Sequence, residues 1–276
     1  MITAGFGLLF GFAWRRWRSE PAPIVGLAVV VAAVPAVAIV RPTDDRLLIG
    51  LGLLILAGAV FRWTRRVPIL PPLVAAPGAW LITRSDLPGP GWVVPLILVV
   101  VAFGGPLISW FEENARPSPL PTVLFAMSIG GVWATVPDVE ETLVLLGAMS
   151  VPTLLAWPLR VARLGSIGAH CLLGLLMWVV AWGGRGRSGS VIGATAAIGL
   201  LVAAPLASCL ARRPRVTTSR WAGLALVVWH AALVAFLTRV AGFEAGPQPA
   251  LVLSIAALSG ATVLWWMIES LAPRST

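Results

Sequence analysis

The chain has 276 residues, of which 58% are hydrophobic and only 11% charged, and its mean hydropathy is +0.92. A soluble domain carries about 25% charged residues, so a chain this apolar could not clothe a water-facing surface, and the lipid bilayer is its expected solvent and first partner. The formal net charge of +9 comes from 20 arginines and no lysine; they sit in short clusters between apolar runs and not along one basic face, which excludes a nucleic-acid partner.

A membrane-crossing helix needs about 20 apolar residues, within a range of about 17–25. Eleven segments approach that length: 2–14, 22–40, 46–61, 67–83, 92–110, 122–136, 142–159, 167–183, 190–211, 221–240 and 249–269. The predicted fold class is therefore all-α, a polytopic integral membrane helix bundle of eleven spans, or ten if the short segment 2–14 does not cross. Residues 1–276 are expected to form one transmembrane domain with no soluble domain, because no connection is long enough to fold alone.

In chain order, Gly7 and Gly11 in the first segment have the Gly-x-x-x-Gly spacing of a close-packing face. Arg15, Arg16 and Arg18 before an apolar run ending Ala36-Val37-Ala38 imitate a signal peptide. The apolar stretch that precedes those arginines argues against cleavage. The connection Arg41-Pro42-Thr43-Asp44-Asp45-Arg46 places two adjacent carboxylates between arginines. Such a loop can hold a cation, grip a phosphate or activate a hydroxyl. Over these six residues it resembles the acidic pair in the first outer loop of polytopic glycosyltransferases that use lipid-phosphate sugars. That resemblance would make Asp44 and Asp45 catalytic, although those enzymes are longer and carry outer helices absent here. The plainer reading is a solvated turn.

The fourth segment reads Val67-Pro68-Ile69-Leu70-Pro71-Pro72, then Pro77-Gly78, and the fifth contains Gly104-Gly105-Pro106. Proline lacks the N–H and clashes with the preceding turn. Both segments are therefore expected to be broken, and freed backbone in a membrane must be buried in protein or face a water-filled cavity. A cavity lined by Pro71, Pro72, Gly104 and Gly105 is the candidate substrate site; kinks that merely let helices pack are the structural alternative. After the fifth segment, Glu112-Glu113 is an acidic exception among basic connections and a candidate partner contact. Asp138, Glu140 and Glu141 make the most charged outer connection. They are read first as first-turn acids that complement a helix dipole, and second as a cation or partner site.

His170 is expected at the interfacial end of the eighth segment, and His230 near the centre of the tenth, where an ionisable group is costly. His230 is read as a helix-to-helix hydrogen bond first and as a solute contact or proton relay second. Cys171 and Cys209 lie in apolar runs and are read as small core residues. A faint parallel repeat joins 92–159 to 190–269: Pro106, Ser109 and Arg116 recur as Pro205, Ser208 and Arg215 at an offset of 99.

Orientation follows from arginine. Alternate connections hold 14 and 6 of the 20. The richer set, which includes Arg15, Arg62, Arg116, Arg160, Arg212 and the tail residue Arg274, is assigned to the cytoplasm. This gives a multi-pass cell-membrane protein with its N-terminus outside and its C-terminus inside. Tryptophan near most segment ends, including Trp63, Trp80, Trp110, Trp265 and Trp266, fits an interfacial belt.

No nucleotide-binding loop, nucleophile elbow, zinc motif or haem motif occurs, so no cofactor, metal or catalytic residue is expected. A small transporter or flippase comes first. An accessory or scaffold subunit, with a membrane-protein partner or a second copy of the chain, comes next, and an enzyme acting on a lipid-phosphate-linked substrate last.

Overall fold

A computed structural model of the chain describes residues 45–63, 69–84, 93–114, 165–183, 188–210, 228–229, 232–233, 235–236 and 247–271. These residues are helical, with no strand among them. Six long helices stand out: α1 (Asp45–Trp63), α2 (Leu70–Arg84), α3 (Val93–Asn114), α4 (Gly165–Gly183), α5 (Ser188–Leu210) and α6 (Pro247–Leu271). Each overlaps one predicted segment, and the pairs 228–229, 232–233 and 235–236 fall in the tenth.

Length separates these helices. Among the described residues, Leu251–Ile268 of α6 is the one stretch long and apolar enough to cross a membrane by itself. Shorter apolar stretches are Leu70–Ile82, Leu98–Phe111, Gly165–Trp178 and Ile198–Ala207. With 15 residues, α2 is about 22 Å long, short of the ~30 Å hydrocarbon layer. The described helices thus carry the all-α class, while the count of eleven spans goes beyond what they contain.

The two expected helix breaks take a different form. In α2 the prolines open the helix. Pro71 and Pro72 occupy its first turn, where a backbone N–H has no intrahelical acceptor to lose. The Leu73 N–H donates back to the Ile69 carbonyl at 3.2 Å. Pro77 does lie inside α2, on its exposed side. In α3 the helix continues through Gly104-Gly105-Pro106 to Asn114. Neighbouring helices support the glycines there, so the weak point is packed and not unwound.

Glycine sets the close crossings. A Cβ on Gly50 of α1 would come within 2.9 Å of the Gly78 carbonyl of α2, and one on Gly78 within 2.8 Å of the Gly50 carbonyl. A Cβ on Gly58 would lie 2.5 Å from the Ile167 Cα and 2.7 Å from the Ser166 carbonyl oxygen of α4. At that crossing the Ser166 hydroxyl donates to the Gly58 carbonyl at 2.7 Å. Small residues that let backbones touch are the usual means of helix association in lipid, where no hydrophobic drive acts between helices. Leu54 and Ile82 fill the notch at Gly174. Around these contacts Leu47, Leu51, Leu54, Ala75, Ala79, Ile82, Leu172 and Leu176 are fully buried.

These contacts also give direction. Gly58 meets Ile167 while Leu54 meets Gly174, so α1 and α4 are antiparallel. Gly104 meets Leu173 and Gly105 meets His170, so α3 and α4 are antiparallel too. Only four residues separate α4 from α5, and Gly104 also meets Val202, so α5 turns back beside α3 and runs parallel to it. Phe111 of α3 sets its ring edge-on against Trp265 of α6, centroids 6.3 Å apart. Gly199 of α5 packs on Leu258 of α6. An antiparallel α6 satisfying the first contact would miss the second by about 25 Å along the axis at 1.5 Å per residue, so α6 runs parallel to α5. The helices α1, α3, α5 and α6 point one way, and α2 and α4 the other.

Trp265, expected at the interface, is 2% exposed and belongs to this packing. Trp80 and Trp266 are half-exposed.

Candidate functional site

The site begins at Gly165, the first residue of α4, whose φ of 69° lies in the left-handed region that glycine enters without a Cβ penalty. One turn later comes His170. It is fully buried among the helices, near the start of α4. Its surroundings explain the burial. The ring lies on Gly105, where a Cβ would meet the imidazole Cδ2, Cγ and Nε2 at 2.5, 2.7 and 2.8 Å. The absence of a side chain at Gly105 is what admits the ring between α3 and α4. Phe61 of α1 tilts against it, centroids 6.4 Å apart.

The Nδ1–H of His170 donates to the Ser166 carbonyl one turn back, at 2.7 Å. That bond selects the tautomer and leaves Nε2 as an acceptor. Nε2 is buried and has no partner. The hydroxyls of Thr195 and Ser254 are also buried without partners. Two other hydroxyls of the bundle return to their own helix: Ser109 donates to the Gly105 carbonyl and Thr262 to the Leu258 carbonyl, each at 2.8 Å. Thr195 and Ser254 forgo this common bond.

Both hydroxyls belong to the α5–α6 seam. Thr195 is one turn before Gly199 and Ser254 one turn before Leu258, and those two residues touch. Because the helices are parallel, the hydroxyls share one level. The seam below them is built from Ala196, Leu200, Ala203, Ala257 and Ala261. By helical rise the pair sits about 10 Å from the level of His170. A buried hydroxyl without a partner costs about 1–3 kcal/mol. Thr195→Val and Ser254→Ala are therefore expected to raise stability by about 1 kcal/mol each, read as a higher melting temperature in detergent. Lower melting temperatures in both would show that the hydroxyls already have partners.

Of the sequence-nominated site, Gly104 and Gly105 lie in the packed interface of α3 with α4 and α5, where they meet Leu173, Val202 and His170. Pro71 is buried and Pro72 half-buried at the start of α2. Asp45 is exposed in the first turn of α1, where its charge complements the helix dipole. Asp44, Asp138, Glu140, Glu141 and His230 lie outside the described residues, as do Gly7 and Gly11. Cys171 is a buried free thiol, in keeping with a core residue. No cluster of three or more metal-binding side chains occurs among the described residues.

Sequence reading missed His170 as a buried group. The spacing of Gly105-Pro106 in one segment and His170 in another shows nothing of their contact. A flag was available, since a glycine pair in an otherwise apolar span implies close approach by another element. Comparison with protein-family models, with curated proteins and with solved structures finds no match to this chain.

Proposed function

We infer that the chain is a multi-pass membrane protein that moves a small polar solute, with the arginine-rich connections in the cytoplasm. One observation carries this reading: three polar side-chain atoms, His170 Nε2, Thr195 Oγ1 and Ser254 Oγ, are buried at two levels of an apolar bundle with nothing to bond. Buried polar groups without partners are expensive in a membrane and call for an explanation, and an ionisable one there is a candidate solute or ion contact. Alternating helix directions support the multi-pass part, because parallel neighbours α5 and α6, separated by residues 211–246, call for a return crossing. The parallel course of α3 and α5, each with an internal proline, Pro106 and Pro205, favours the faint repeat.

A second reading, a scaffold subunit, draws on the tight α1–α2–α4 core, where backbone meets backbone at Gly50, Gly58 and Gly78 and leaves no space for a solute. Purified protein reconstituted in liposomes separates the two. Transport predicts a proton leak reported by an entrapped pH dye, or scrambling of a fluorescent lipid. A chain that does neither and holds a co-purifying membrane protein in fixed ratio is a subunit.

A further inference from the structure

We propose that the α5–α6 seam at Thr195 and Ser254 binds a small neutral solute through one of the solute's hydroxyl groups. The two side chains are 4% and 3% exposed, and neither hydroxyl has a partner. Their register is fixed by the contact one turn on. A Cβ on Gly199 would lie 3.1 Å from Leu258 Cδ2 and 3.3 Å from Cδ1, so the Leu258 tip rests on the Gly199 backbone. Thr195 is four residues before Gly199 and Ser254 four before Leu258. Residues four apart share a helix face, and the helices are parallel, so both hydroxyls lie one turn along the same seam. The buried side chains beside them, Ala196 and Ala257, are short. A stripe of small residues alone would be a packing face. What distinguishes this one is a pair of buried hydroxyls that bond neither each other nor their own helices, although Thr262 of α6 does bond within its helix.

The chemistry of the pair selects the solute. Each hydroxyl brings one donor and two acceptor lone pairs. An apolar ligand would leave both unsatisfied. A bare ion would lack a counter-charge on either helix. No residue of α5 is charged, and the one charged residue of α6 is Glu269, about 22 Å along the axis from Ser254. What remains is a neutral group that donates to one hydroxyl and accepts from the other. A single alcohol oxygen does both from one atom, which suits a seam walled by alanine methyls and glycine. Binding breaks no bond in the protein, because neither hydroxyl has a partner to give up. The solute exchanges hydrogen bonds to water for two from the seam, which offsets the cost of entering an apolar bundle. Without solute both hydroxyls stay unsatisfied, the state from which Thr195→Val and Ser254→Ala are expected to gain stability. Passage of the solute across the membrane rests on the transport reading; its binding does not.

Glycerol is the probe, added to the full chain in detergent. Osmolytes stabilise any folded protein by exclusion from its surface. The readout is therefore the excess melting-temperature shift of the parent over the double variant Thr195→Val with Ser254→Ala. Sucrose, too large for the seam, is the osmolyte control. The expected result is an excess that saturates with glycerol, is absent with sucrose, and persists in Thr262→Val, whose hydroxyl is bonded within α6. Equal glycerol shifts in parent and double variant overturn the proposal. So does a lower melting temperature of both single variants without glycerol, which would mean that the hydroxyls are already bonded. Swelling of proteoliposomes in glycerol, followed by light scattering, keeps the two ideas apart. Saturable binding without glycerol entry sinks transport and leaves the site. Entry above that of protein-free liposomes, unchanged in the double variant and with no excess shift in the parent, sinks the site and leaves transport.

Discussion

Replacing Gly58 with alanine is expected to cost about 2 kcal/mol or more, net of the ~1 kcal/mol that alanine gains in helix propensity. The new Cβ would come within 2.5 Å of the Ile167 Cα and 2.7 Å of the Ser166 carbonyl oxygen. Those atoms are backbone and cannot rotate away as a leucine tip can. Relief requires α1 and α4 to separate, which also breaks the Ser166-to-Gly58 hydrogen bond. Thermal unfolding in detergent measures the effect. Gly52 and Gly260 are the matched controls: nothing lies within 4 Å of a Cβ at either position. Alanine there should be neutral or stabilising by up to about 1 kcal/mol. If Gly58→Ala melts with its controls, the α1–α4 crossing is wrong. Gly104→Ala is expected to be milder, because the atoms it meets are the movable ends of Leu173 and Val202.

Thiol labelling of intact cells is expected to give an all-or-none pattern. The background removes Cys171 and Cys209, and single cysteines are then placed in the connections. A membrane-impermeant maleimide should label Thr43→Cys and Glu244→Cys at once. Ser118→Cys and Thr217→Cys should react only after permeabilisation. The physical basis is the 14 to 6 division of arginines between alternate connections. The direction of the helices adds a constraint: α5 and α6 are parallel, so the connection preceding each must be labelled from one and the same side. Labelling of Thr217→Cys and Glu244→Cys from the same side would remove the crossing between them and with it the multi-pass assignment. A single reversed position at residues 2–14 would alter only the first crossing.

Composition, apolar run length and arginine spacing specify where the helices lie. The described helices match their predicted segments to within three residues at the start and four at the end, since the run of apolar residues and the turn chemistry that ends it are both local. Proline was harder to read. The pattern at Pro71-Pro72 says that backbone N–H groups are missing, but whether that breaks a helix or opens one depends on which turn it falls in. Only the position of Leu70 as the first helical residue settles this. At Pro106 the same local signal leaves the helix intact, because α4 and α5 pack against Gly104 and Gly105 and hold it.

By itself, the sequence determined an apolar chain whose described residues are helical, the bounds of those described helices and an arginine asymmetry, all properties of residues near one another along the chain. Only the tertiary structure decided that His170 is buried and rests on Gly105, that Thr195 and Ser254 share a level, and that Trp265 turns into the core. Each depends on which helices touch and in which direction they run. Contacts between residues 65 apart, as His170 and Gly105 are, leave no trace in local hydropathy.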